Sequence, residues 1–328
     1  MLGTLSMSQK QEAGSIDAHA HWTPPGYIKL VTELGRQVSG GPLNPLMFDL
    51  EKRVKWMDER GVRTHVLTLS GGMPWQWASQ DAANRLARIV NDAAVEAHKA
   101  FPERFVAGIA MPMRDPNAAL RELDRVAGAP GIRAVHLPNS VEGHDYLFQP
   151  SYLPILARCE ELGYPLIFHP LDGVENHYGG QERLGGPAFI YNTLGFPFET
   201  ATLAAKFIIN GLLDKFPKLD IVLPHSGGCF PYIAGRIEHS IKKGATNIEL
   251  KRPFREYVRR FHYDSLAYYP ETLRFMIDLV GSDRIVIGTD NYAKMDVEQP
   301  NALVEQLELP AADRERILRG NAARLMRL

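Results

Sequence analysis

Eight short apolar segments alternate with amphipathic segments along almost the whole chain, and this alternation restricts the fold more than any other feature of the sequence. The apolar segments are rich in β-branched residues and cover 15–22, 64–70, 105–112, 132–138, 165–170, 220–226, 261–267 and 284–290. Near-continuous apolar strands are typical of a parallel sheet, and eight strand–helix repeats predict an α/β fold, the (β/α)8 TIM barrel. A doubly wound sheet would need a glycine-rich phosphate loop after an early strand, and none follows the first segment.

We expect one domain over residues 15–328, preceded by a frayed tail at residues 1–14. The tail lacks the basic start and long apolar core of a signal peptide. The only cysteines, Cys159 and Cys229, have neither metal-knuckle nor disulfide-framework spacing, so reduced thiols and a cytoplasmic location are expected. Basic and acidic residues nearly balance, 37 against 38, which predicts no nucleic-acid partner. No apolar run approaches the roughly 20 residues of a membrane span, so no membrane association is expected.

One segment interrupts the alternation between the fifth strand and the next helix. Residues 171–196 contain six glycines and no clear helical pattern. A connection this long inside a compact domain is usually functional, and in a barrel it would leave the face at which the strands end. We therefore predict a long loop here that acts as a lid or determines specificity.

Metal-capable side chains stand at the ends of four of the predicted strands. His19 and His21 are two residues apart, so on a strand they project from one face and can bind the same divalent ion. His169 ends the fifth strand, His225 the sixth and Asp290 the eighth. Because the carboxyl ends of barrel strands meet at one face, these residues predict a metal site there.

Longer motifs accompany these strand ends. The most specific is DKFPKLDIVLPHSGGCFPYIAGRIEH at 214–239, and the others are IDAHAH, DERGV at 58–62, PERFVAGIAMPM at 102–113, IFHP, GFPFETA at 195–201 and IVIGTD. Together they run from about residue 15 to the C-terminus. They resemble the amidohydrolase superfamily (amidohydrolase 2 type), in the branch that includes α-amino-β-carboxymuconate-ε-semialdehyde decarboxylases.

This resemblance implies a role for each strand-end residue. The implied ligands of a single divalent metal, usually zinc, are His19, His21, His169 and Asp290. His225 matches the catalytic histidine of the family. Three imidazoles and a carboxylate suit Zn²⁺, with Mn²⁺ and Fe²⁺ as alternatives. Members with two metals need a bridging lysine at the end of the fourth strand, which here reads IRAVHLP and offers none, so one metal is expected.

The resemblance also implies a reaction, which is metal-dependent, non-oxidative decarboxylation of a small aromatic or muconate-type carboxylic acid. His225 and Asp290 would handle the proton that replaces CO₂, and the sequence leaves open which of them donates it. The alternative is a mononuclear hydrolase or hydratase, in which a metal-polarised water attacks a lactone, an amide or an unsaturated acid. A non-enzymatic binding protein is disfavoured because unused ligands would be costly buried polar groups.

Further residues are candidates for substrate binding. By resemblance, Arg236 reaches the active site of a neighbouring subunit and holds a substrate carboxylate, which implies a homodimer. The other candidates lie on predicted strand ends and loops and are His136, Trp75, Trp77, His177 and Asn291. Each candidate also has a structural alternative. His136 could be a core histidine, the two tryptophans could only pack in their loop, and His177 could lie at the surface.

The chain also departs from the branch at the predicted pocket. The stretch SGGPLNPLMF lacks the second substrate-binding arginine found there in that decarboxylase, and Arg36 is only a displaced candidate. Asn291 and Tyr292 follow GTD where Tyr-Pro is common. These differences leave the substrate open. Asp264, on the seventh strand, is expected to satisfy neighbouring backbone or imidazole groups.

Overall fold

The chain forms a nearly closed parallel barrel in a computed structural model that describes residues 14–38, 43–69, 73–141, 143–171, 190–245 and 247–328. Eight strands of the described residues form one sheet in the order β1 to β8. They are β1 (Ser15–Trp22), β2 (Val62–Leu69), β3 (Phe105–Ala110), β4 (Ile132–Pro138), β5 (Leu166–His169), β6 (Ile221–Leu223), β7 (Phe261–Asp264) and β8 (Ile285–Val286). Parallel bridges from Asp17 to Ile287 and from Ala20 to Asn291 bring the last strand beside the first. The predicted TIM barrel is confirmed.

Helices connect the strands and surround the barrel. The α-helices are α1 (Pro25–Glu33), α2 (Leu50–Glu59), α3 (Gln80–Ala100), α4 (Pro116–Val126), α5 (Leu153–Leu162), α6 (Phe196–Ile209), α7 (Leu212–Lys215), α8 (Phe230–Lys242), α9 (Phe254–Val258), α10 (Pro270–Val280), α11 (Ala302–Glu305), α12 (Ala311–Glu315) and α13 (Asn321–Met326). Shorter 3₁₀ turns lie at Pro45–Met47, Pro74–Gln76, Tyr146–Phe148, Pro150–Tyr152, His225–Gly227 and Ser282–Arg284. In the described part of the chain, no helix is both long and apolar enough to span a membrane.

Local sequence explains where the helices begin and end. Ser79 accepts a hydrogen bond from the Ala82 N–H at 3.3 Å and so caps the first turn of α3. The buried face of α3 repeats at helical spacing through Leu86, Val90, Ala94 and Ala97. α5 ends at Gly163, whose φ of 61° is the left-handed conformation that favours glycine after a helix.

The amino-terminal half of the barrel interior is an apolar cluster. β1 to β6 and β8 contribute to it through Ile16, Ala18, Val66, Val106, Ala134, Ile167, Val222 and Val286. Three residues of α13, Ala322, Leu325 and Met326, close it from below. This packing leaves the carboxyl ends of the strands as the place for polar chemistry.

All eight predicted strands are present, but β3 and β5 to β8 are shorter than predicted. β1 and β4 cover the predicted residues, whereas β6, β7 and β8 end early. The backbone turns away from the sheet at His225, Ser226 and Asp290, whose φ angles are 52°, 54° and 56°. An extended strand cannot contain such residues, so β6 ends before His225, whereas β8 already ends at Val286, four residues before Asp290.

The loop predicted over 171–196 is partly wrong. Tyr191–Gly195 form a π-helical turn that leads directly into α6. The six glycines suggested irregular backbone as far as residue 196, but helical structure begins before that residue. Pro197, in the first turn of α6, is compatible with this start. Residues 172–189, which include His177, and residues 1–13 of the predicted tail lie outside the described residues.

Candidate metal centre

Four strand-end residues bring their ligand atoms together at the carboxyl end of the barrel. One potential ligand atom from each of His19, His169, His225 and Asp290 lies within 4.8 Å of the others. His21 joins them, since its Nε2 lies 3.0 Å from Asp290 Oδ1 and 3.2 Å from His19 Nε2. The structure therefore brings together all five strand-end residues singled out in the sequence.

The imidazoles divide into two sets around the Asp290 carboxylate. Nε2 atoms of three histidines surround Oδ1, at 3.0 Å for His21, 3.4 Å for His19 and 3.8 Å for His169. His225 instead places its Nε2 3.8 Å from the other oxygen, Oδ2. Its side chain is also the most accessible of the four, 14% exposed against 4–6% for the others.

Hydrogen bonds at Nδ1 orient the three rings around Oδ1. The Nδ1 contacts are 2.8 Å from His19 to Asp264 Oδ2, 2.6 Å from His169 to the Pro170 carbonyl and 3.2 Å from His21 to the Thr68 hydroxyl. A carboxylate or carbonyl partner requires the proton on Nδ1 of His19 and His169, which leaves their Nε2 lone pairs facing the centre. Such partners behind a ligating imidazole are typical of protein metal sites.

Burial and charge set the protonation of these groups. Burial lowers the pKa of His21 and lowers that of His169 to about 3, so both are neutral, as metal ligands must be. Burial also opposes charge on His19, but its contacts with Asp264 and Asp290 raise its pKa to about 10. Without a metal this ring is therefore protonated at both nitrogens, and it must release its Nε2 proton to bind an ion. Burial would raise the pKa of Asp290, yet contacts with the surrounding imidazoles hold it well below its usual value. The centre thus contains an ionised carboxylate among converging nitrogen atoms.

The donor set fits a single divalent ion. His169 Nε2 and Asp290 Oδ1 are buried and have no hydrogen-bond partner in the described part of the chain. Two ligands about 2.1 Å from one ion lie about 3–3.5 Å apart. The three shortest contacts of His19, His21 and Asp290, at 3.0, 3.2 and 3.4 Å, fall in this range. A cation would satisfy the buried donors that protein groups leave unpaired.

Asp264 holds two parts of the centre together. Its carboxylate accepts hydrogen bonds from the backbone N–H groups of His225 at 2.8 Å and Ser226 at 2.7 Å, and it also contacts His19 Nδ1. Burial would raise its pKa, but the His19 contact and the backbone donors lower it. A side chain at Gly288 would approach Asp264 Cβ to 2.7 Å, so this close approach needs glycine. The expectation that Asp264 satisfies neighbouring backbone and imidazole groups is confirmed.

Two predicted substrate-binding residues are buried polar groups. His136 is 1% exposed, and neither ring nitrogen has a hydrogen-bond partner among the described residues. Asn291 is fully buried, and both polar atoms of its side-chain amide are unpaired within the same described residues. Burial and the nearby imidazoles, led by His21, hold the pKa of His136 well below its usual value. The His136 imidazole is therefore neutral, and both side chains carry buried polar atoms without a partner among the described residues.

No hydrogen bond, ion pair or ring contact joins the other predicted substrate-binding residues to the metal centre within the described residues. Trp75 is fully buried within the large core cluster, which favours a packing role. Trp77 is half-buried, and the Arg36 guanidinium carbon lies 5.4 Å from the centre of its ring. Arg236 is exposed on α8, away from the core. His177 lies outside the described residues.

Two residues that contact the centre were missed at the level of sequence. Phe196 is buried and stacks on the His225 ring, with an interplanar angle of 17° and 6.4 Å between centroids. Thr68 bonds to His21 from the neighbouring strand. A polar residue near the end of the apolar run THVLTLS was a usable signal for Thr68. Phe196 stands within the quoted motif GFPFETA, but nothing in the motif indicates a contact with His225.

Comparisons with known proteins identify the family of this chain and several similar decarboxylases. A family model described as amidohydrolase matches residues 16–328. A 2-amino-3-carboxymuconate-6-semialdehyde decarboxylase of Dictyostelium discoideum is 30% identical over 285 residues, which are 86% of this chain and 77% of the relative. A gamma-resorcylate decarboxylase of Rhizobium sp. is 32% identical over 290 residues, 85% of this chain and 87% of the relative.

A solved structure supports the same similarity. It is a dihydroxybenzoic acid decarboxylase from Polaromonas sp. with bound manganese and the inhibitor 2-nitroresorcinol. Its TM-score is 0.81 at 28% sequence identity, covering 96% of this chain and 97% of that one. The similarity therefore extends over the whole barrel.

Proposed function

Because the chain belongs to the amidohydrolase family, we propose that it is a metal-dependent, non-oxidative decarboxylase of a small aromatic or muconate-type acid. The observation that carries the proposal is the division around Asp290, in which three imidazoles face Oδ1 and His225 faces Oδ2. One side of the carboxylate thus offers ligands, and the other offers an acid–base group. The names of the similar decarboxylases support this reaction class.

The proposed ligands of one divalent ion are His19, His21, His169 and Asp290. The donor set suits zinc, and manganese is the alternative because the similar Polaromonas structure contains it. When bound, the metal supplies a Lewis acid for a substrate carboxylate or an adjoining hydroxyl. His225 is left out of the ligand set because its nitrogen faces Oδ2 and its side chain is the most accessible.

The proposed proton step uses His225, with Asp290 as the other possible donor. A proton reaches the carbon that bears the carboxylate, the bond between that carbon and the carboxylate breaks, and CO₂ leaves. The electron pair of the broken bond stays with the substrate carbon and restores the unsaturated system. His225 then recovers a proton from water, to which its 14% exposed side chain has access. The stacked Phe196 ring restricts water on one face of the imidazole.

Polar groups near the metal centre are proposed to select the substrate. His136 and Asn291 offer unpaired buried donors and acceptors within the described residues, which suit ring hydroxyl groups. Trp77 offers an aromatic surface. Trp75 is fully buried in the core, so substrate contact is proposed for Trp77 alone of the two.

The direct test is a product assay on a panel of hydroxybenzoates, including 2,6-dihydroxybenzoate, together with simple lactones. The metal-loaded enzyme should release CO₂ from at least one aromatic acid and leave lactones intact. Lactone hydrolysis without CO₂ release would instead favour the hydrolase alternative. A variant of the exposed His239, which lies on α8, serves as the activity control.

We further propose a homodimer built on α6 and α8. A groove of about 530 Å³ between these helices is lined mainly by Phe198, Ala201, Ala205, Ile209, Cys229 and Ile233. Tyr232 is 85% exposed on α8, one turn before the exposed Arg236. A second copy of the chain would cover this apolar surface and receive the guanidinium, whose planar fork suits a substrate carboxylate.

The cytoplasmic location is also kept as a proposal. Cys159 and Cys229 are both free thiols, and free thiols are typical of a reducing compartment. Burial raises the pKa of Cys159 to about 12, so this thiol is unreactive at neutral pH. Cell fractionation with an antibody against the chain tests the location.

A further inference from the structure

A fully buried arginine lies behind the strand that provides the paired histidines. Arg53, on α2, has no exposed surface. Its Nη2 donates to the backbone carbonyl of His21 at 2.5 Å, and its Nε donates to the carbonyl of Leu46 at 3.0 Å. Its guanidinium carbon also lies 4.9 Å from the centre of the Tyr292 ring. One side chain therefore joins the end of β1, the turn before α2 and the segment after β8.

Stability alone does not account for this arginine. Within the described residues, no carboxylate oxygen lies within 4.0 Å of its guanidinium. Burial lowers the pKa of Arg53 to about 10, which still leaves it charged at neutral pH. A buried charge without a paired counter-ion is destabilising, and an apolar side chain of similar volume would often be more stable there.

The nearest acidic group is reached through a histidine. His65 Nδ1 lies 3.4 Å from Arg53 Nη1, and His65 Nε2 lies 3.6 Å from Asp17 Oδ2. Asp17 in turn accepts the His19 N–H at 3.0 Å and the Thr289 hydroxyl at 2.5 Å. This chain of contacts ends on the backbone of β1 beside the first histidine and on the residue before Asp290.

The contacts of Arg53 and Asp17 thus act on the backbone of the centre. Arg53 holds the carbonyl of His21, and Asp17 holds the N–H of His19. The pairing of β1 with β2 is irregular between Asp17 and Ala20, so regular strand pairing alone does not set this stretch. A shift of the β1 backbone by a fraction of an ångström would move both imidazoles relative to Asp290.

We propose that Arg53 is a positioning residue of the metal centre, which holds the end of β1 so that His19 and His21 face Asp290. The inference rests on the metal-binding part of the proposed function. It requires the guanidinium specifically, because two donors must reach the carbonyls of His21 and Leu46 at once. A lysine carries one ammonium and can serve only one of them well.

The test measures metal affinity of the metal-free protein rather than turnover. Arg53→Met and Arg53→Lys are compared with wild type and with Lys55→Met, an exposed position on the same helix. Zinc and manganese dissociation constants are obtained by competition with a chromogenic chelator, well below the melting temperature of each variant. Arg53→Met should weaken binding of both ions about 10–100-fold, as loss of an outer-shell partner typically does. Arg53→Lys should recover part of this loss, and Lys55→Met should match wild type.

Several results would overturn the inference. A purely structural role lowers the melting temperature of Arg53→Met but leaves its metal affinity within about threefold of wild type. Failure of both Arg53 variants to give a native circular dichroism spectrum would also assign the arginine to stability. A wild-type chain that binds neither ion would overturn the metal centre itself, which separates failure of the proposed function from failure of this inference.

Discussion

Asp290 presents its two oxygens to different imidazoles, and this asymmetry is the basis of the roles proposed here. Three nitrogen atoms that converge on Oδ1 can share one cation. His225, at Oδ2, has a left-handed backbone with φ of 52°, held by the hydrogen bond from its N–H to Asp264. Strained backbone held by its surroundings is common at functional residues.

His225→Asn is expected to retain the metal and lose about 10²–10⁴-fold in kcat, the usual cost of removing an acid–base group. Metal content by elemental analysis and CO₂ release on the same preparation measure the two effects. His239→Asn, an exposed histidine on α8, should change neither. Loss of the metal in His225→Asn would make His225 a ligand and contradict the proposed role.

At the scale of elements, the start of α6 is tied to two strand ends by buried polar groups. Ser140 donates to the Glu199 carboxyl, and Asn139 Nδ2 donates to the Thr200 hydroxyl at 3.0 Å. The Asn139 N–H in turn donates to the carbonyl of His169 at 3.0 Å. Burial raises the pKa of Glu199 to about 7, even though the Ser140 hydrogen bond acts in the opposite direction.

This pKa predicts a pH-dependent stability. The raised value means that the folded state favours protonated Glu199. The contribution of this carboxyl group to the free energy of unfolding is therefore complete below about pH 4.5 and is lost as pH rises through about 7. Glu199→Gln, which is neutral at every pH, should therefore be more stable than wild type at pH 8.5, by up to about 3 kcal/mol. The difference should shrink towards pH 5.

Urea unfolding of the metal-free proteins at both pH values measures this difference. Glu249→Gln, at an exposed position, is the matched control and should behave as wild type does. A Glu199→Gln variant whose stability relative to wild type is the same at pH 5 and pH 8.5 would show that the carboxyl ionises freely in the folded protein.

At the scale of the whole molecule, the proposed ligands connect distant parts of the barrel. β1, β5 and the end of β8 supply them, so an ion would join the first, fifth and last strands. Binding to the folded state alone stabilises a protein by RT ln(1 + [L]/Kd), about 4 kcal/mol at 1,000 times Kd.

Removal of the metal should therefore lower the melting temperature. Calorimetry with and without a chelator measures the shift for wild type, and His19→Ala should show almost none. An exposed-site variant, Lys55→Met, should shift as wild type does. Equal melting temperatures of wild type with and without chelator would argue against an ion held by all three strands.

The dimer makes a second prediction at this scale. Arg236→Ala should raise KM for an acidic substrate and leave metal content unchanged, whereas Arg85→Ala, an exposed arginine on α3, should do neither. Mixing Arg236→Ala with His19→Ala should restore activity, because one site of each mixed dimer would contain an intact metal centre and an intact arginine. A monomer by light scattering, or no restored activity, would rule out a shared site.

The sequence by itself determined the class of fold, the family and the positions of the strand-end residues. Alternating apolar and amphipathic segments predict a barrel because both patterns are local, and each of the eight strands overlaps its predicted segment. The family match confirms the resemblance drawn from the motifs. His19 and His21 could be paired from strand periodicity alone, since that geometry involves only three consecutive residues.

Only the tertiary structure decided how these residues face one another. The opposite placement of His225 and His169 around Asp290, the stacking of Phe196 and the reach of Arg53 to His21 all join residues far apart in the chain. The left-handed backbone of His225, which ends β6, is likewise held by a hydrogen bond to Asp264, a residue far away in the chain. Local propensity carries no information about such contacts, because their energies arise only once the barrel has closed around them.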